Sequence, residues 1–186
     1  MRALRTVFQM AASLLLVVAA CPAQKADRKS EMSDAEYIKQ AVSAAPQAVG
    51  EGAAVVRIEK DGTMSTLRAG NNGFTCMVMG GEKMCNDANA MEFFHAVMSH
   101  TAPPDKLGFS YMLSGDNVGA SNTDPNATAK TADNHWIVTG PHIMILGPAS
   151  KTLGLTRDKD PDPKKPYMMW AGTLYEHAMI PVSAEK

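Results

Sequence analysis

The sequence predicts an α+β domain, with a mainly antiparallel sheet of five or six strands, two principal helices and one disulfide. Three observations lead there. Short runs rich in valine, isoleucine and methionine recur between Gly, Pro and Asn turn signals, which is the punctuation of strands. Two other segments repeat apolar residues at helical spacing behind a capping residue. A pair of cysteines, Cys76 and Cys85, brackets a Gly80-Gly81 turn in the stretch from Phe74 to Ser99, around which the rest of the chain is organised.

What those cysteines mean depends on compartment, so the N-terminus is read first. Arg2 and Arg5 precede an apolar run from Met10 to Ala20 that is too short for a stable membrane span, the pattern of an export signal over residues 1–20. It closes on Val18-Ala19-Ala20-Cys21, which resembles the lipobox of bacterial lipoproteins and implies lipidation at Cys21. Ordinary signal-peptidase cleavage near Ala23 is the alternative. Pro22, where an aspartate would favour inner-membrane retention, implies attachment to the outer membrane facing the periplasm. Residues 21–31 are then a lipid-anchored polar tether, and residues 32–186 a single globular domain.

Of 18 basic residues, Arg2 and Arg5 belong to the leader, leaving 16 against 19 acidic ones, a formal charge of −3. No basic block exceeds Lys164-Lys165, so nucleic acid is not an expected partner; the membrane is met through the anchor. In an oxidising envelope, two cysteines nine positions apart read as a disulfide rather than a C-x-x-C metal or redox pair. Closing such a loop contributes about 2.7 kcal/mol in the chain-entropy model.

The elements follow in order. Ser33 and Glu36 form a capping box for a helix with Tyr37, Ile38, Ala41 and Val42 on its apolar stripe, ended by Pro46. Residues 53–59 and 63–68 read as a hairpin around Lys60-Asp61-Gly62. Asn71-Asn72-Gly73 leads into a strand over 74–79. Asp87 caps a second helix to about Ser99, with Ala90, Met91, Phe94, Val97 and Met98 expected inside. His95 lies beside Met91 and Met98, a trio read as core packing rather than as soft-metal ligands. Further strands are expected at 107–113, at 136–146 with a break at Gly140-Pro141, at 167–171 and at 174–182, with a helical turn at 148–153.

The longest aperiodic stretch runs from Ser114 to His135. Asp116, Asn117, Asn122, Asp124 and Asn126 offer oxygen ligands, but their spacing is not that of a calcium loop, and Asx turns account for the composition. No G-x-S-x-G, H-E-x-x-H, P-loop or dinucleotide fingerprint occurs. Glu176 and His177 alternate sides of a strand and make no dyad. The chain is therefore read as more a binder than an enzyme.

One pattern is sharper. His142-Ile143-Met144-Ile145 is echoed by His177-Ala178-Met179-Ile180, and in a strand the His and Met of each copy share a side. Were the two strands neighbours, two imidazoles and two thioethers would converge, a set suited to copper. Met77, Met79 and Met84 add to a methionine-rich composition.

Around residues 121–125, Gly140-Pro141-His142, residues 166–173 and residues 177–182, the chain resembles a family of exported proteobacterial proteins with no assigned activity. The resemblance implies an exported single domain and carries over no catalytic residues. The leading expectation is thus an envelope protein, anchored to the membrane, with a non-catalytic role in binding a partner or ligand or in structure. Copper binding by His142, Met144, His177 and Met179 is the alternative, followed by an enzyme with an unrecognised site.

Overall fold

The structure, a computed structural model, describes residues 32–182. The export signal, Cys21 and the tether lie outside the described residues. The domain is α+β, built on one sheet of eight strands.

The expected capping box starts α1 (Asp34–Val42), with Ser33 accepting from the Glu36 N–H. Pro46 does more than end this helix, since it begins a short second one, α2 (Gln47–Gly52). The hairpin follows as β1 (Ala54–Ile58) and β2 (Met64–Arg68), then β3 (Phe74–Met79). Gly70 lets the connection recross β1: a Cβ there would stand 2.0 Å from the Ala54 nitrogen. In consequence β3 lies on the other side of β1 from β2 and pairs with it in parallel, so the sheet is mixed.

Next comes a strand absent from the sequence reading, β4 (Glu82–Asp87), folded back on β3 across Gly80-Gly81. Cys76 and Cys85 face each other in this hairpin and form the disulfide, with S–S 2.02 Å. Helix α3 (Ala88–Met98) starts at Asp87, whose side chain accepts from the Ala90 N–H (2.7 Å) and the Phe109 N–H (3.1 Å). Strand β5 (Gly108–Met112), a two-stranded ribbon of β6 (Ala120–Ser121) and β7 (Trp136–Ile137), and β8 (His142–Leu146) follow. A 3-10 helix (Pro148–Leu153) precedes β9 (Tyr167–Met169) and β10 (His177–Pro181).

The main sheet runs β2-β1-β3-β4-β5-β8-β10-β9. The sheet has eight strands rather than five or six, the unexpected β4 among them, and four helical segments replace the two principal ones. Among the described residues no helix is long and apolar enough to cross a membrane.

Strand alternation gives the sheet two unlike faces. Cys76, Cys85, Phe74, Val78 and Tyr111 pack under α1, with Tyr37 and Ala41 buried against them. The Tyr37 hydroxyl accepts from the Val78 N–H (3.0 Å), which docks the helix on β3. The opposite face carries Met77, Met84, Met112, Met144 and Met179 and is covered by Phe93 and Phe94 of α3. Helix α3 turns inward Ala90, Phe93, Phe94 and Ala96, not the predicted Met98, which is 55% exposed. His95 is exposed as well, so the Met91-His95-Met98 trio is not a core cluster.

Candidate metal centre

The His-Met echo falls on adjacent strands. Strands β8 and β10 pair antiparallel with Met144 directly across from Met179, so His142, Met144, His177 and Met179 all project from the methionine face. The register to the outer neighbours adds two partners. Met112 on β5 lies across from His142, and Met169 on β9 lies across from His177. Directly opposed residues have Cβ atoms roughly 4.5–5.5 Å apart. Each imidazole is thus beside its own thioether, with the Met144–Met179 pair between them.

All six side chains line a single cavity of about 160 Å³, together with Met79, Met84, Phe94, Asp116 and Trp170. The volume is well below the roughly 300–1,000 Å³ of typical small-molecule sites, and it suits an ion with few accompanying atoms. A larger depression of about 400 Å³, between Val138, Pro163 and Val182, has Lys164 as its sole charged lining residue and brings no polar groups together.

The histidines are fixed in one tautomer. His142 Nδ1 lies 2.7 Å from the Gly140 carbonyl and His177 Nδ1 2.9 Å from the Tyr175 carbonyl. A carbonyl oxygen only accepts, so each Nδ1 carries the proton and each Nε2 presents a lone pair. Both rings are buried, at 0% and 1% exposure, and both Nε2 atoms are without a hydrogen-bond partner. An Nδ1–H held by a backbone carbonyl is the usual support of a metal-binding imidazole, since it orients the ring and raises its basicity. Unpartnered buried nitrogens are otherwise costly.

Burial also sets the charge. It pushes His177 down to about 4, against the opposing pull of the Tyr175 carbonyl, and nearby His142 depresses it further. Burial lowers His142 too, outweighing the Gly140 carbonyl and the negative charge of Glu82. Both rings are neutral at pH 7 and ready to donate. Asp116 Oδ1 stands 3.9 Å from His142 Nε2, beyond hydrogen-bond reach, and because His142 is neutral the two do not form an ion pair. Burial drives Asp116 up to about 6, although its other oxygen accepts from the Thr139 N–H at 2.7 Å, and the charge of Glu82 raises it further. Glu82 holds the loop that carries Asp116: its carboxylate accepts from the N–H groups of Asn117 (2.7 Å), Val118 (2.7 Å) and Gly119 (3.2 Å).

Among the described residues no group of three or more His, Cys, Asp or Glu is gathered for a metal ion. An ion held here takes its remaining ligands from sulfur, and neutral thioethers beside neutral imidazoles favour a soft cation such as Cu(I). All four His and Met residues singled out from sequence line this one cavity, with Met144 and Met179 directly opposed and His142 and His177 four residues apart along the paired strands, at the two ends of that pair. Sequence alone did not reach Met112, Met169 and Trp170 as members of this site, and it offered Asp116 only as an oxygen ligand of a calcium loop; the signal for the first two was their period-2 placement in strands whose order could not be read. Elsewhere in the 114–135 loop, Asp124 makes an Asx turn to the Asn126 N–H (2.9 Å), whereas Asn117 donates to the Gly81 carbonyl and Asn122 to the carbonyls of Asp158 and Lys159. Glu176 faces away from the cavity and binds Arg157 at 2.5 Å.

Comparison of the chain with family models, with curated proteins and with solved structures gave no match. Its functional reading rests on this geometry.

Proposed function

We propose that this chain is an exported cell-envelope protein that binds Cu(I) without catalysis, using His142 and His177 through Nε2 and two or more of Met112, Met144, Met169 and Met179 through sulfur. The observation that carries the reading is the pair of buried, neutral imidazoles, each with an unpartnered Nε2, among the methionines that line one cavity. Neutral imidazole and thioether ligands suit the softer oxidation state, and Asp116 supplies a counter-charge that offsets the cost of burying a cation. The export signal and lipid-bearing Cys21 read from the sequence would place the site in the periplasm, tethered to the outer membrane, where its role is to hold or hand on copper.

Titration of the full chain with Cu(I) against a chromogenic chelator tests this. One equivalent is expected to be withdrawn from the chelator. His142→Ala and His177→Ala should each weaken retention by at least the roughly 10–100-fold seen for outer-shell changes at metal sites. Failure to compete with the chelator, or indifference to both substitutions, sinks the reading.

A further inference from the structure

Trp170 is held in an unusual way. Its φ of 55° lies in the left-handed region, which residues other than glycine rarely adopt and which persists only where the surroundings enforce it. Three hydrogen bonds do so. The Trp170 N–H donates to the Asn122 carbonyl (2.9 Å), its carbonyl accepts from the Thr173 N–H (3.0 Å), and the indole Nε1–H donates to the Ser121 carbonyl (2.8 Å). These bonds tie the end of β9 to the start of the 121–135 loop and leave the indole no freedom to swing outward. Its ring centroid lies 4.8 Å from that of His177, at 76° between the planes, and the side chain lines the metal cavity. Trp170 is half-buried, whereas His177, Met169 and Met179 beside it are closed to solvent, so the indole stands on the solvent side of the donors.

The hydrogen bonds explain how the strained conformation persists; they do not explain why a large aromatic should be locked against a bare imidazole. A π system is attracted to a cation through its quadrupole, most strongly where both are desolvated. The same ring occupies space where water would otherwise reach the ion. Cu(II) prefers square-planar or tetragonal sites of nitrogen and oxygen ligands, whereas Cu(I) accepts soft sulfur. Resting on the metal reading above, we propose that Trp170 is the cap of this site and determines its specificity, by holding a monovalent soft cation under the indole and excluding the water molecules that Cu(II) would need to complete its coordination beside the Asp116 carboxylate.

The chain has two tryptophans, and the other, Trp136, does not line the cavity. In a Trp136→Phe background all tryptophan emission comes from Trp170, so the full chain can be titrated with Ag(I), a redox-inert stand-in for Cu(I), while chelator competition measures uptake independently. The expected result is loss of at least half the emission, complete at one equivalent. Trp170→Phe, which keeps an aromatic ring, should retain most of the affinity. Trp170→Leu should lose roughly 5–30-fold for Cu(I), the span between an exposed and a desolvated cation–π contact, while Cu(II) binding stays level or rises. A purely structural tryptophan would weaken both ions together. Uptake of one Ag(I) with unchanged emission, or equal losses for both oxidation states in Trp170→Leu, overturns the cap and leaves the metal site standing. Absence of uptake in the wild type overturns the site itself.

Discussion

Asp116, in the cavity wall, carries a charge that changes close to neutral pH. Its carboxyl is raised from 3.8 to about 6, so between those values the folded state retains a proton that the unfolded chain has released. Raising the pH through that window therefore costs stability, by about 3 kcal/mol at most, and the cost persists above it. Asp116→Asn removes the buried charge while keeping an oxygen for the Thr139 N–H. It should stabilise the metal-free protein at pH 8 and give no gain at pH 4, as measured by urea unfolding at both. Copper should reverse the preference, because a cation beside His142 is offset by the ionised carboxylate. Wild-type affinity for Cu(I) is thus expected to fall as the pH drops from 7 to 5, with Asp116→Asn weaker at pH 7 and flatter across the range. A flat wild-type profile contradicts this role. At this scale the sequence was half legible. Period-2 alternation alone puts His142 with Met144, and His177 with Met179. Asp116 lies in an aperiodic loop, and nothing local ties it to a strand 26 positions away.

At the scale of elements, the β3–β4 hairpin and the 114–119 loop together build one wall of the cavity. Glu82, near the hairpin turn, binds three consecutive backbone N–H groups of that loop, an arrangement in which a charged acceptor is worth more than a neutral one. Gly119 lets the loop pass close to β7: its φ is 78°, and a Cβ there would stand 2.3 Å from the Ile137 carbonyl oxygen. Glu82→Ala should release the loop without unfolding the sheet, seen as loss of hydrogen-exchange protection confined to the amides of residues 117–119. A matching loss across β8 and β10 would show that Glu82 supports the whole fold instead. Strand β4 itself was not legible from composition. Glu82, Lys83, Asn86 and Asp87 give it a polar reading, and Asp87 reads equally as a helix cap. The available signal was symmetry: Cys76 and Cys85 lie equally far from Gly80-Gly81, which is the register of a two-residue hairpin. The parallel pairing of β1 with β3 left no such mark, because it depends on Gly70 admitting a recrossing that has no pattern in sequence.

Across the whole molecule the sheet separates two jobs. Its cystine face, under α1, is stapled by the Cys76–Cys85 disulfide, whereas its methionine face buries two neutral histidines. The histidines make the fold sensitive to acid. His177 is held at about 4 and His142 below its usual 6.5, so on acidification the unfolded chain takes up protons at these rings before the folded state does. Asp116 acts in the opposite sense with one proton, and the balance favours loss of stability as pH falls through that interval. A metal held by both Nε2 atoms binds only the folded, neutral form and should counter the loss. At a free concentration 100 times Kd it adds about 2.7 kcal/mol, or roughly 5–11 °C in Tm for a chain of this size. Thermal unfolding at pH 7 and pH 5, with and without Ag(I), should therefore show a lower metal-free Tm at pH 5, a clear Ag(I) increment at pH 7 and a smaller one at pH 5. His142→Gln and His177→Gln, which remove a proton-binding site each, should flatten the metal-free pH dependence and abolish the increment together. If the increment survives both substitutions, silver binds elsewhere; if the metal-free Tm rises on acidification, the buried rings are not neutral in the folded protein.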